Sequence, residues 1–147
     1  MKTSLKWLEN YVTTGWTSAE LAENLTMAGL EVEGIEEIGR VPEGVVVAEI
    51  KARREHPNAD KLSLCDVDPG SGELIQIVCG APNCGAGKKV PLATIGTELG
   101  EGFKVKKAKL RGEESHGMLC SAAELDLSDD QEGLMELPPH AEPGKPL

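Results

Sequence analysis

From Gly44 onward the chain is interrupted about every ten residues by turn-forming residues, leaving segments too short for helices and rich in Val, Ile and Leu. Residues 45–54, 62–68, 73–79, 88–94, 103–111 and 117–121 are strand candidates. Turns such as Asp68-Pro-Gly-Ser-Gly72 and Cys84-Gly-Ala-Gly87 separate them. A run of short strands at this spacing predicts a small closed or partly closed β-barrel, with the five-stranded OB-fold as the leading topology. The chain is thus expected to be mainly β, α+β overall. Only Trp7, Tyr11, Trp16 and Phe103 are aromatic, so the core has to be aliphatic.

The first 40 residues read differently. Ser4 can cap a helix over residues 5–12, with Leu5, Leu8 and Val12 on one face. Thr17-Ser-Ala-Glu20 has the pattern of a capping box, and Leu21, Ala22, Leu25 and Ala28 continue a helical stripe until Gly29 stops it. Residues 30–38 then alternate as a strand. Two short helices and one strand bury little surface, so residues 1–40 are expected to form an incomplete domain that needs a partner. Residues 41–147 make the second domain. Its proline-rich end after about residue 137, Leu137-Pro-Pro139 to Pro143-Gly-Lys-Pro146, reads as an exit linker.

Within a chain of formal net charge −10, five cations fall in eight positions: Lys104, Lys106, Lys107, Lys109 and Arg111. Residues 1–42 carry 3 basic and 7 acidic side chains, residues 43–121 carry 11 of each, and residues 122–147 carry 1 and 7. The acidity therefore belongs to the flanks, and a polyanionic partner is compatible with the middle. Phe103 and Val105 set one strand parity, whereas Ala108 and Leu110 set the other. A β-bulge near Lys106–Lys107 would restore the register and gather all five cations on one face. Two readings stay open from the residues alone: a phosphate-facing strand, or an edge strand blunted by lysine against aggregation.

Other motifs are less specific. Cys65, Cys79, Cys84 and Cys120 show neither a C-x-x-C pair nor zinc-ligand spacing; Cys65, Cys79 and Cys120, in apolar strand-like runs, read as small buried hydrophobes in a reducing compartment. The stretch Cys79-Gly-Ala-Pro-Asn-Cys84-Gly-Ala-Gly-Lys-Lys89 fails as a P-loop, since Lys89 stands where Ser or Thr is required. Lys88 and Lys89 are left as a second phosphate contact. His56-Pro-Asn-Ala-Asp-Lys-Leu62 builds a defined corner between two strands, with His56 and Lys61 either at the rim of a binding face or merely in the turn. No nucleophile or partnered carboxylate can be assigned beside His56, so no catalytic site is expected. In Arg111-Gly-Glu-Glu-Ser-His-Gly-Met118, Ser115 and His116 can donate to phosphate or ribose, or Ser115 can simply close a turn. Scarce aromatics make phosphate a more suitable target than stacked bases. No stretch approaches the roughly 20 apolar residues of a membrane span, and no apolar signal core is present; a cytoplasmic location is the expectation.

Taken together, His56-Pro-Asn-Ala-Asp-Lys-Leu62, Gln76-Ile-Val-Cys-Gly80, Lys106-Lys-Ala-Lys-Leu-Arg-Gly112 and Ser115-His-Gly-Met118 resemble the EMAP-II-like tRNA-binding domain, an OB-fold attached to several aminoacyl-tRNA synthetases. Met1-Lys-Thr-Ser-Leu-Lys-Trp-Leu8, Tyr11-Val12 and Leu21-Ala-Glu-Asn-Leu-Thr-Met-Ala-Gly-Leu-Glu-Val-Glu33 resemble the start of the bacterial phenylalanyl-tRNA synthetase β subunits. Glu113 departs from the pattern, standing where that family has an apolar residue, often valine. The resemblance implies an N-terminal fragment that contacts tRNA phosphates through Lys104, Lys106, Lys107, Lys109 and Arg111, with Lys88, Lys89, Lys61, Ser115 and His116 as weaker candidates. It implies no cofactor or metal in this fragment, ATP and Mg²⁺ for the parent ligase, and the α subunit and the rest of the β subunit as partners. A structural or assembly module with little RNA contact, or a stand-alone tRNA-binding protein, are the alternatives.

Overall fold

The computed structural model describes residues 2–36 and 39–147. The chain separates into two compact units, Met1–Ile38 and Gly39–Leu147. In the first, α1 (Leu5–Leu8) starts at Ser4, whose hydroxyl accepts the Trp7 N–H, and α2 (Ser18–Met27) starts at a complete Thr17/Glu20 capping box. Neither helix buries a residue fully, and Trp7, Tyr11 and Trp16 stay exposed. The strand expected over residues 30–38 does not form through Glu36, and its last two residues lie outside the described set. Alternation alone cannot make a strand. A strand needs a ladder partner, and this unit offers none among its described residues.

The second unit is built on β1 (Val45–Glu55), which pairs antiparallel with β2 (Ser63–Asp68) on one edge and β4 (Lys89–Ala93) on the other. β3 (Ile75–Cys79) adds to β2, and β9 (Met118–Leu119) adds to β4, giving the order β3-β2-β1-β4-β9. Two hairpins complete the unit: β5 (Glu98–Leu99) with β6 (Phe103–Lys104), and β7 (Ala108–Leu110) with β8 (Glu113–Ser115). The sheet edges meet where His116 N–H donates to the Gln76 carbonyl (3.0 Å), the Gln76 amide donates to the Glu114 carbonyl (2.9 Å), and the Ser115 hydroxyl accepts the Val78 N–H (3.1 Å). The result is a nearly closed, five-stranded OB-like barrel.

Its core is aliphatic, as composition requires. Ala48, Ile50, Cys65, Val67, Ile77, Val90 and Leu92 are fully buried in one cluster, and Val45, Ala93, Leu99, Val105, Cys120 and Leu125 pack in a second. Each buried Val, Leu or Ile contributes about 1.5–3 kcal/mol of transfer free energy.

Two expectations are corrected here. The bulge lies in β1, where Ile50 pairs with Val67 and Ala52 with Asp66, leaving Lys51 as the extra residue. Residues 103–111 are not one bulged strand; they break at residues 105–107 between two separate hairpins. The tail read as an exit linker is hydrogen-bonded along β1: Val47 donates to the Lys145 carbonyl, Gly144 to Val47 and Leu147 to Val45. β2 covers only the part of β1 beyond Glu49, so the tail satisfies backbone groups that would otherwise face outward unpaired.

Candidate nucleic-acid interface

The cationic segment follows from how its backbone is held. Val105 is the anchor: its side chain is buried, its N–H donates to the Thr97 carbonyl and its carbonyl accepts the Gly96 N–H, both at 2.8 Å. Lys104 and Lys106 flank this anchor and are exposed. The chain then enters the β7–β8 hairpin, in which Leu110 pairs with Glu113 across a two-residue turn. Arg111 (φ +52°) and Gly112 (φ +97°) both take the left-handed region, the requirement of a type I′ turn. Glycine suits its position. Arginine does not, and holding it there costs about 1 kcal/mol.

The His56 corner holds this hairpin in place. The His56 Nδ1 accepts the Asn58 N–H (3.0 Å), so the ring proton sits on Nε2, which donates to the Leu110 carbonyl at 2.9 Å. The Asn58 amide donates to the Arg111 carbonyl at 3.0 Å. His56 is thus a buried, neutral clamp and not a rim donor. Asn58 makes the second bond between the corner and the hairpin.

All five cations of the run are exposed. Lys107 pairs with Glu114 at 3.0 Å, and its ammonium holds the Glu114 carboxyl below the usual carboxylate range. Among the described residues, Lys61, Lys104, Lys106, Lys109 and Arg111 make no ion pair within 4.0 Å. The Glu113 carboxylate is half-buried and lies 3.3 Å from the Gln76 amide, which engages it on the hairpin.

Three weaker candidates are placed elsewhere. Ser115 is buried, its hydroxyl accepting from Val78 N–H and donating to the Gly117 carbonyl, so it closes the barrel and cannot reach a phosphate. Lys88 binds Glu136 (2.5 Å), and Lys89 donates to the Pro139 and Ala141 carbonyls (2.6 Å each). These two lysines fasten the tail instead of forming a second anion contact. His116 is half-buried, with Nε2 3.5 Å from Glu114.

Lys51, Arg53 and Arg54, which the sequence did not single out, are all exposed on β1 from the bulge onward. Arg54 pairs with Asp66 at 2.8 Å, Lys51 with Glu49 at 2.9 Å, and Arg53 donates to the Ser63 hydroxyl at 2.9 Å. The switch from VVVAEI to KARRE within one strand was the available signal. An open groove of about 780 Å³ lies beside the cationic segment, with Val78, Phe103, Val105, Lys106, Leu110 and Glu124 in its lining.

The four cysteines are buried and free, with Cys65 and Cys84 sulfurs 2.9 Å apart. The Cys65 contact and burial push Cys84 up to about 11, and burial pushes Cys120 up to about 12, so both stay protonated near neutral pH. Among the described residues no group of three or more His, Cys, Asp or Glu is placed to hold a metal ion.

A small antiparallel barrel displaying an exposed cationic hairpin is the architecture of an oligonucleotide-binding module. Residues 45–146 match the family described as "Putative tRNA binding domain", and the chain belongs to that family. It is 52% identical over 147 residues to the phenylalanine–tRNA ligase β subunit of Syntrophus aciditrophicus, a match covering 100% of this chain and 18% of that protein. The β subunit of Anaeromyxobacter dehalogenans is 54% identical over 147 residues with the same coverage. The chain therefore spans 18% of the length of these relatives, in their N-terminal regions. Among solved structures, the C-terminal domain of Plasmodium vivax p43 shares the fold with a TM-score of 0.52 at 22% identity, over 75% of this chain and 61% of that one.

Proposed function

We propose that this chain is the tRNA-binding region of a phenylalanine–tRNA ligase β subunit, and that it meets the tRNA phosphate backbone through the exposed face of residues 104–111. The observation that carries this is the set Lys104, Lys106, Lys109 and Arg111, all exposed and without an ion-pair partner among the described residues: the first two flank the Val105 anchor, and the last two sit on the hairpin clamped by His56 and Asn58. Unpaired cations on a fixed backbone release counterions on meeting phosphate without first breaking bonds within the protein. We assign Lys61, in the same corner as Asn58, and His116, beside Glu114, to the margin of this face, and Lys107 joins it when its pair with Glu114 opens.

The relatives are parts of an ATP-dependent ligase. ATP and Mg²⁺ are assigned here to the whole enzyme, with no residue of this chain holding them. The glycine-rich loop before Lys89 joins two strands, so no helix N-terminus meets a phosphate there, and its two lysines are bound to the tail. The α subunit and the remainder of the β subunit are the proposed protein partners, and residues 1–40 the incomplete domain that joins them. A cytoplasmic place of action follows from this reading; no helix among the described residues is long and apolar enough to cross a membrane.

The test is a titration of the chain with tRNA across a range of salt. Charge reversal at Lys104, Lys106 and Lys109 should each lower the slope of log affinity against log salt by ~0.7–0.9. A slope unmoved by all three removes the binding face. The Lys107–Glu114 pair and the acidic flanks favour a second reading, a scaffold with little RNA contact. Under that reading no binding appears even at low salt.

A further inference from the structure

We propose that the groove beside the cationic segment holds an unstacked nucleobase of the bound RNA, with the ring of Phe103 as its stacking surface and Lys106 at its rim. This rests on the reading of the chain as a tRNA binder and adds a contact of a different kind. Phe103 is the chain's one phenylalanine and the one Phe, Trp or Tyr in residues 39–147. It is 55% exposed, while Leu99, its cross-strand partner, is buried. The ring lines the groove and is not needed to fill the core. Leu110, 41% exposed, lines the same groove at the far end of the cationic segment. Two large apolar side chains left open in one groove, at either end of a run of cations, suit an apolar ligand that carries negative charge.

A nucleotide has that composition: a flat apolar face joined to a phosphate. Val78, Val105 and Leu119 give the groove an apolar floor, and its volume of about 780 Å³ suits a cleft for a small planar group. Glu124 also lines it, with its carboxylate accepting the Ser121 N–H at 2.6 Å. An anion inside the groove repels a phosphate there. The sugar–phosphate chain is thereby directed over Lys104 and Lys106, and the base into the groove. Stacking of this kind tolerates any base, because each has a π-face.

Having one phenylalanine makes the test direct. Chain labelled with 4-fluorophenylalanine gives one protein ¹⁹F resonance, read against a tRNA transcript, a single-stranded octaadenylate and an abasic oligomer of equal charge. The transcript and octaadenylate should shift the resonance and the abasic oligomer should not. Phe103→Ala and Phe103→Leu should weaken tRNA binding by roughly 5- to 150-fold with the salt slope unchanged, while Phe103→Trp retains it. Wild-type affinity in Phe103→Ala, with the salt slope intact, overturns the base site and leaves the phosphate-binding function standing. An equal shift from the abasic oligomer overturns it as a contact with backbone only. Phe103→Leu binding as well as wild type also overturns it, since greasy packing without a π-face would then suffice. A resonance unmoved by every RNA, but shifted by the remainder of the subunit, assigns the groove to a protein interface instead. Absence of any salt-dependent tRNA binding removes the function itself, a separate outcome.

Discussion

Arg111 is the one residue of the cationic run whose backbone pays for its position. A type I′ turn favours Asn or Gly at φ +52°, and a guanidinium held there is a local conflict between conformation and charge. Arg111→Asn should therefore raise the melting temperature slightly, a gain of ~0.5–1 kcal/mol, while lowering tRNA affinity and its salt slope. Thermal denaturation and titration on the same preparation check both signs. Ser115 makes the opposite case. Ser115→Ala leaves the buried Val78 N–H without its acceptor, so denaturant midpoints should report a loss of ~1–3 kcal/mol with the salt slope unmoved. A phosphate-binding serine would give the reverse, an intact fold and a changed slope.

At the scale of elements, the clamp and the hairpin act as one device. His56→Ala deletes the donor to the Leu110 carbonyl and the acceptor for the Asn58 N–H. The expected outcome is ~1–3 kcal/mol of lost stability and faster amide hydrogen exchange in β7 and β8 than in β1. Equal exchange in both would remove the clamp. The sequence made β1 to β4 legible because each is an apolar run closed off by turn residues. The segment at 103–111 is ambiguous in the sequence for a physical reason: a parity flip is equally satisfied by a bulge and by a break between two hairpins. Only partners distinguish the two, and Thr97, Glu98 and Glu114 lie outside the run. The same limit applies to residues 30–36, whose alternation meets no second strand. It applies to Ser115, Lys88 and Lys89 as well, where residue type suggested donors but not the direction in which they point. The exposure of the five cations was readable because a charge without a buried partner must reach water.

For the whole barrel, the tail is a structural part. Lys89 bonds two tail carbonyls, and the tail crosses the β2–β3 turn so closely that a Cβ on Gly70 would lie 2.4 Å from the Gly144 Cα. Lys89→Met retains the stem but not the two charged bonds. It should destabilise the barrel by about 1.5–3 kcal/mol in urea and leave tRNA affinity at low salt within twofold. Weaker tRNA binding from a fully folded Lys89→Met chain would return that lysine to the binding face. The pairing of Leu147 with the Val45 carbonyl has a further consequence. Val45, at the start of the first barrel strand, and Leu147, a hundred residues further on, therefore lie side by side. A unit with that geometry behaves as a cassette: it can be spliced into a loop of another domain without prising the host's two flanking residues apart, and so can be gained, lost or exchanged with little disturbance to what surrounds it.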